Sequence, residues 1–286
     1  MKLITWNVQW CRGVDGSVDP ARIVAEAKRI ADFDVLCLQE IADNFPDPEL
    51  EGSAGEDQFA ILAALLPNYA PVDGIAVDQP AKNGRRRRFG NMILSRYPVK
   101  QVYRHLLPYP CDPGVPGMPR IALEAVIAAP ERDVRVVTTH LEYYSALQRM
   151  AQVDALRTIY AEGYAHARDG RMTMDDGGPF QTFIRPEATV ITGDFNFEPA
   201  SKEHQRMLAP FDDGTPALVD AWQLIHPGAP HPTTFCVYQK TDPSGDELHC
   251  GFIFAGGGVE QRVRDVTVDR QTQASDHQPV MVTLEF

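Results

Sequence analysis

Five strand-like runs in this chain finish on or beside an acid, an amide or a histidine, and no other feature narrows the fold so far. "LITWN" closes on Asn7, "VLCLQE" on Gln39 and Glu40, "VVTTH" on His140, and "VITGDFN" on Asp194 and Asn196. The last run is preceded by "SDHQP", which carries Asp276 and His277. These runs are short, apolar and rich in β-branched residues, so they read as buried strands. Each polar cluster then falls where a strand leaves the core. Taken singly, each has an ordinary explanation. Asn7 reads as a turn, Glu40 as a cap, His140 as a satisfied core histidine, and Asp276 as an N-cap before Pro279. Gly193-Asp194 with Asn196 also reads as a turn. Should the chain stay extended there, alternation points Asp194 and Asn196 to the same side. Five strand ends carrying only Asn, Gln, Glu, Asp and His are harder to explain as turns.

Helical spacing of apolar residues separates some of the strands. Asp19-Pro20 reads as an N-cap with proline at the first helical position, ahead of a helix over 21–33. Further helices are expected over 57–67 and over 145–164, the latter with Ser145 as its cap. Other strand-like runs lie at 89–95, 120–128, 134–141, 248–255, 259–269 and 279–285. The pattern implies one α/β domain over 1–286, in which helices cover two packed, largely antiparallel sheets. Three long loops, 42–56, 108–119 and 165–186, are candidates for function.

The net charge of −12 disfavours loose binding to polyanions. One segment runs against it. "NGRRRRFGN", 83–91, is read either as a solvated loop or as a grip on an extended anionic ligand through Arg85 and Arg88. No apolar stretch is long enough to span a bilayer. The opening "MKLITWNVQW" reads as a strand rather than as a leader. Five cysteines with no CxxC spacing imply reduced thiols and a cytoplasmic location.

The strand-end residues suit metal-assisted cleavage of a phosphoester. A hard divalent cation such as Mg²⁺ (or Mn²⁺) takes oxygen ligands, which Glu40, Asp276 and the amide of Asn7 provide. Asp194 is placed to position or deprotonate a water, and Asn196 to hold that water or a phosphate oxygen. Histidine and the cation would neutralise the charge that builds up in the transition state. Cysteine is absent from these positions and histidine sparse, which argues against zinc chemistry.

Six segments in order, "TWN", "LQE", "GNMILSRYP", "TTHLE", "GDFN" and "SDHQP", resemble the endonuclease/exonuclease/phosphatase superfamily of deoxyribonuclease I-like phosphohydrolases. The resemblance spans Trp6 to Pro279. It implies a four-layer α/β/β/α sandwich with strand ends converging on one phosphate pocket. It places metal at Asn7, Glu40 and Asp276, the water-activating pair at Asp194 and Asn196, and phosphate contacts at His140 and His277. Arg120 and Asn91 fall at positions implied to meet substrate. Two departures stand out. Gly251, in "HCGFIF", stands where an Asp partner of His277 is expected, so Asp246 or Glu247 would have to replace it. The Glu that supports the first histidine in nuclease members has no clear match; Asp73 and Asp78 are only nearby in sequence. The expectation is a Mg²⁺- or Mn²⁺-dependent hydrolase acting by direct water attack. Its substrate could be nucleic acid, a lipid headgroup or a soluble phosphoester, as diester or monoester. No protein partner is evident. The rival is a module that keeps the fold and binds a phosphate ligand with impaired catalysis, motivated by Gly251.

Overall fold

The computed structural model describes residues 1–82, 84–169, 174–238 and 247–286. In chain order its first half contains β1 (Lys2–Asn7), α1 (Pro20–Ile30), β2 (Val35–Asp43), α2 (Gln58–Leu65), β3 (Ala70–Pro80), β4 (Arg86–Ser95), β5 (Val99–Leu106), β6 (Ile121–Ala128) and β7 (Asp133–His140). Then come α3 (Ala146–Asp169), β8 (Thr189–Asp194), α4 (Lys202–Leu208), β9 (Val219–Asp220), α5 (Ala221–Ile225), β10 (Gly251–Gly256), β11 (Val263–Val268) and β12 (Val280–Leu284). Each helix starts where a side chain accepts the free backbone N–H groups of its first turn: Asp19, Asp57, Ser145, Ser201 and Asp220 for α1 to α5.

The strands form two six-stranded sheets, ordered β11-β12-β1-β2-β4-β3 and β5-β6-β7-β8-β10-β9. All pairings are antiparallel except β1 with β2 and β7 with β8, one near the middle of each sheet. Parallel neighbours need a crossover, and α1 and α3 supply it. Parallel neighbours also end on the same edge. Asn7 therefore lies beside Gln39, and His140 beside Asp194. One apolar layer, with Leu3, Val35, Ile93, Leu123, Val136 and Ile253, fills the space between the sheets. A second packs Ile23, Ala27 and Leu62 of α1 and α2 onto the first sheet. A third packs Val153, Leu156 and Tyr160 of α3 onto the second. Three cores between four layers make the expected α/β/β/α sandwich.

The architecture matches the sequence reading, with local differences. Strands β3 and β5 and helices α4 and α5 lack a clean apolar period and were not expected. Helix α3 runs on to Asp169. The arginine run is mainly strand rather than loop: Arg86, Arg87 and Arg88 pair with Pro80, Gln79 and Asp78 across β3–β4. Each guanidinium meets a carboxylate. Arg85 binds Asp43 (2.8 Å), Arg86 binds Asp78 (2.7 Å), Arg87 binds Glu49 (2.5 Å), and Arg88 binds Asp43 (2.9 Å) and Asp57 (3.0 Å). Among the described residues, no helix is long and apolar enough to cross a membrane.

Polar struts cross the buried layers. Gln39 of β2 donates to Thr138 Oγ1 of β7 at 2.9 Å, tying the two sheets together just behind the strand ends. In the second sheet, fully buried Glu124 accepts from Arg135 (2.9 Å) and Arg185 (2.8 Å), and its Oε2 lies 3.1 Å from His105 Nε2. Arg135 continues to the Ile159 carbonyl of α3 at 2.9 Å. Gly163 makes room for it, because a Cβ there would overlap the guanidinium. Burial alone would raise the pKa of Glu124; His105 and the two arginines outweigh it and hold the carboxyl well below its ordinary value. A depressed carboxylate stabilises the fold above its unfolded-state pKa and loses that contribution as pH falls. Glu124→Ala should cost about 3–5 kcal/mol, because it strands two buried guanidinium groups. Urea denaturation at neutral pH measures this, and a loss under about 1 kcal/mol would contradict the network's role.

Candidate active site

The edge where β1, β2, β7 and β8 end opens into a cleft of about 250 Å³ lined by Gln9, Trp10, Glu40, Arg120, His140, Tyr143, Tyr144, Asp194, Asn196, Phe235, Asp276 and His277. Local backbone distortions aim several of these side chains. Glu40 sits at φ +63° where β2 bulges: Leu38 faces Met92 and Ile41 faces Gly90, so Gln39 and Glu40 together oppose Asn91. Such a bulge turns one side chain out of the alternating pattern. Asn196 has φ +50°, so the chain is not extended through 194–196. Asp194 Oδ1 instead accepts from Asn196 N (3.1 Å), and Asn196 Nδ2 donates to Leu141 O (2.9 Å). The turn and the cleft are one structure: Asp194 and Asn196 face the same cavity through a turn, not through strand alternation. Gly193 precedes them at φ +146°, where a Cβ would overlap the Thr139 carbonyl.

Asn7 is the meeting point. Its Nδ2 lies 3.0 Å from Glu40 Oε1, 2.9 Å from Asp194 Oδ2 and 3.3 Å from His277 Nε2. Its Oδ1 accepts from Gln9 N at 3.1 Å. Ligation of a cation through Oδ1 therefore requires the amide to turn over. Gln9, which sequence reasoning passed over, donates from Nε2 to Asp276 Oδ2 (2.7 Å) and keeps a buried Oε1 without a hydrogen-bond partner. The signal for Gln9 was its place two residues after Asn7, on a segment (Gln9, Trp10, Cys11) held at positive φ.

The electrostatics fit a hard cation. Burial, then the nearby Asp276 charge, pushes Glu40 up to about 7. Burial also raises Asp276. Asp194 goes the other way: burial would raise it, but His277 and the Asn7 amide hold it below its ordinary value. Burial, with the Arg120 charge second, pushes His140 down to about 3, so its ring is neutral at physiological pH. His140 lies 3.6 Å from Asp194 and 3.8 Å from Glu40, contacts too long for hydrogen bonds. Arg120 is buried, reaches Glu142 Oε2 at 3.4 Å, and leaves Nη1 with no partner. Closely spaced carboxylates, two of them forced upward in pKa, with a buried amide oxygen unspent, form an all-oxygen donor set for a divalent cation.

The residues singled out in the sequence divide in two. Glu40, Arg120, His140, Asp194, Asn196, Asp276 and His277 line the cleft, with Asn7 hydrogen-bonded behind them. Asn91, Arg85 and Arg88 are not among its lining residues. Asn91 is buried and donates to Ile121 O at 3.2 Å, linking the two sheets. Gly251 needs a correction. Its Cβ position faces Val280 and Thr234. The neighbouring Cys250 points the other way and puts Sγ 3.7 Å from His277 Nδ1. Cys250, not Gly251, thus occupies the place beside the histidine. Asp246 lies outside the described residues, and Glu247 is exposed. Asp73 and Asp78 pair with Arg104 and Arg86 rather than supporting His140. The buried Glu142 was missed; it accepts from the backbone of Tyr143 (2.9 Å) and Tyr144 (3.0 Å) and so fixes the aromatic rim of the cleft.

A family model described as the Endonuclease/Exonuclease/phosphatase family matches residues 4–277. The chain belongs to this family. Its members are hydrolases of phosphoester bonds and generally use a divalent metal. An endonuclease/exonuclease/phosphatase from Beutenbergia cavernae superposes with TM-score 0.67 at 25% identity, over 99% of this chain and 70% of that one. A mannosyl-6-phosphatase from Bacteroides thetaiotaomicron superposes with TM-score 0.65 at 18% identity, covering 100% of each chain. A truncated Caenorhabditis elegans TDP2 gives 0.61 at 18%, over 99% and 96%. No curated protein matches the sequence.

The raised Glu40 yields a stability prediction. Between its ordinary value of 4.5 and about 7, the folded state holds this proton more tightly than the unfolded state. Metal-free stability should therefore fall as pH rises through that window. Glu40→Gln should remove the penalty and raise the metal-free Tm at pH 8, by roughly 2–4 °C for each kcal/mol of repulsion relieved. Calorimetry in EDTA checks this; a lower Tm would contradict the repulsion.

Proposed function

We propose that this protein is a Mg²⁺- or Mn²⁺-dependent phosphoesterase that cleaves its substrate by direct water attack at phosphorus. One observation carries the reading. The same cleft holds an acidic cluster suited to a cation and a buried Arg120 nitrogen with no protein partner. An anion that meets a divalent cation on one side and a desolvated guanidinium on the other is most simply a phosphate.

Glu40 and Asp276, with Asn7 or Gln9, would hold the ion, which supplies charge neutralisation at the phosphate and acidifies water. Asp194, ionised at neutral pH, orients the attacking water and takes its proton. Asn196 fixes that carboxylate by giving its backbone N–H to Oδ1. Neutral His140 and the ring of His277 hydrogen-bond phosphate oxygens, and Arg120 takes the developing negative charge. We assign Arg85, Arg88 and Asn91 to the scaffold instead of the substrate, because carboxylates and a carbonyl already engage them. That assignment and the acidic net charge favour a compact phosphoester over a long polynucleotide. A monoester is within reach of the fold, as the mannosyl-6-phosphatase illustrates. A reduced-thiol compartment such as the cytoplasm suits the five free cysteines. One feature favours the rival reading of a binding module with impaired turnover, namely a thiol where a carboxylate would orient His277.

Assays of bis-p-nitrophenyl phosphate and a panel of phosphomonoesters, with Mg²⁺ or Mn²⁺ and with EDTA, separate the two. EDTA should abolish activity. Asp194→Asn should lower kcat by about 10²–10⁴ with its Tm retained. Phosphate binding without turnover of any ester would support the rival, and full activity in EDTA would exclude the cation's role.

A further inference from the structure

Cys250 brings a soft ligand to an otherwise oxygen-and-nitrogen site. We propose that Asp194, Cys250 and His277 form a second metal site, selective for a thiophilic divalent cation such as Zn²⁺ or Cd²⁺, whose occupation inhibits the enzyme. His277 Nδ1 lies 3.7 Å from Asp194 Oδ2 and 3.7 Å from Cys250 Sγ. The three ligand atoms all lie within 4.8 Å of one another. At 3.7 Å, nitrogen and oxygen are too far apart for a hydrogen bond. The spacing instead resembles the edges of a zinc tetrahedron. Bonds of about 2.3 Å to sulfur and about 2.0–2.1 Å to nitrogen or oxygen place ligand atoms about 3.3–3.6 Å apart.

A second cluster shows the contrast. His204 and His231 place Nε2 at 2.9 and 2.8 Å from Asp220 Oδ2, which are hydrogen-bond lengths. His204 Nδ1 accepts from Ala200 N at 3.2 Å, which leaves Nε2 as the donor to Asp220. Asp220 also caps α5 through its other oxygen, so this cluster is a hydrogen-bonded clamp.

At the Asp194 set, binding exchanges the S–H bond of Cys250 for a sulfur–metal bond and releases one proton to solvent, with no redox change. Three protein ligands leave a fourth position for water. A carboxylate at position 250 would make the set hard; the thiol shifts its preference toward thiophilic ions. Inhibition follows because the ion takes Asp194 and His277 away from water and phosphate. That consequence rests on the function proposed above, whereas the binding itself does not.

The test uses the full chain, stripped with a chelator and titrated with Cd²⁺. A thiolate-to-cadmium ultraviolet band should saturate at one equivalent, survive in Cys111→Ser, which removes the exposed thiol, and vanish in Cys250→Ser. With Mg²⁺ present, Zn²⁺ should inhibit the wild type, and Cys250→Ser should need on the order of tenfold more Zn²⁺. Cys250→Ala replaces the serine variant if the buried hydroxyl lowers Tm. A wild-type titration with no thiolate band overturns the site without any variant. A band undiminished in folded Cys250→Ser overturns it as well. A band in a protein that hydrolyses no ester would sink the proposed activity and leave the site standing. Hydrolysis with no band would do the reverse.

Discussion

One amide nitrogen holds the active edge of this molecule together. Asn7 Nδ2 touches Glu40 of its own sheet, His277 on the segment leading into β12, and Asp194 of the facing sheet. These contacts exist because a parallel pair lies near the centre of each sheet, which sends four strand ends to one edge. An all-antiparallel sandwich would scatter the same side chains over both edges. Gln39, bonded to Thr138 one layer deeper, keeps the two edges in register. The crossovers through α1 and α3, and the cores that bury them, follow from the same requirement.

The cleft works against stability. Burial, with the Asp276 charge second, raises the pKa of Glu40, and burial raises that of Asp276. Asp194 escapes the rise because His277 and the Asn7 amide lie beside it. In the proposed mechanism a cation would relieve the first two and leave the third ionised beside it. This division suits neighbouring carboxylates to the two tasks proposed for them, holding an ion and handling a water. The stabilisation lost here is offset elsewhere, in ion-pair networks such as Glu124 with Arg135 and Arg185 and in three apolar layers.

Most of the residues that line the candidate cleft were legible because strand ends announce themselves: an apolar β-branched run that stops on Asn, Glu, His or Asp has few structural reasons to do so repeatedly. The order of the motifs then implied the sandwich. What could not be read was orientation at single residues. Cys250 and Gly251 differ by one position, and in a strand one position selects the opposite face. Alignment by motif chose Gly251, while the strand turned Cys250 toward His277. The arginine run looked like a loop because its charge hides the alternation that seats it in β4. Strands β3 and β5 stayed hidden for a similar reason: both are sheet edges, and "APVDGIAVDQP" and "VKQVYRHL" mix polar and apolar residues without a clean period. Glu142, fully buried behind the tyrosine rim, carried no local pattern at all.

The central claim is that the strand-end cleft delivers water directly to phosphorus. The stereochemistry of turnover tests it most directly. A phosphodiester made chiral with sulfur at phosphorus, hydrolysed in ¹⁸O-labelled water with Mg²⁺, should yield a phosphorus product that carries the label with inverted configuration. Retention of configuration would mean two successive displacements through a covalent enzyme adduct, and label in the alcohol product instead would mean that water attacks carbon. Either result would contradict the roles given to Asp194 and its neighbours.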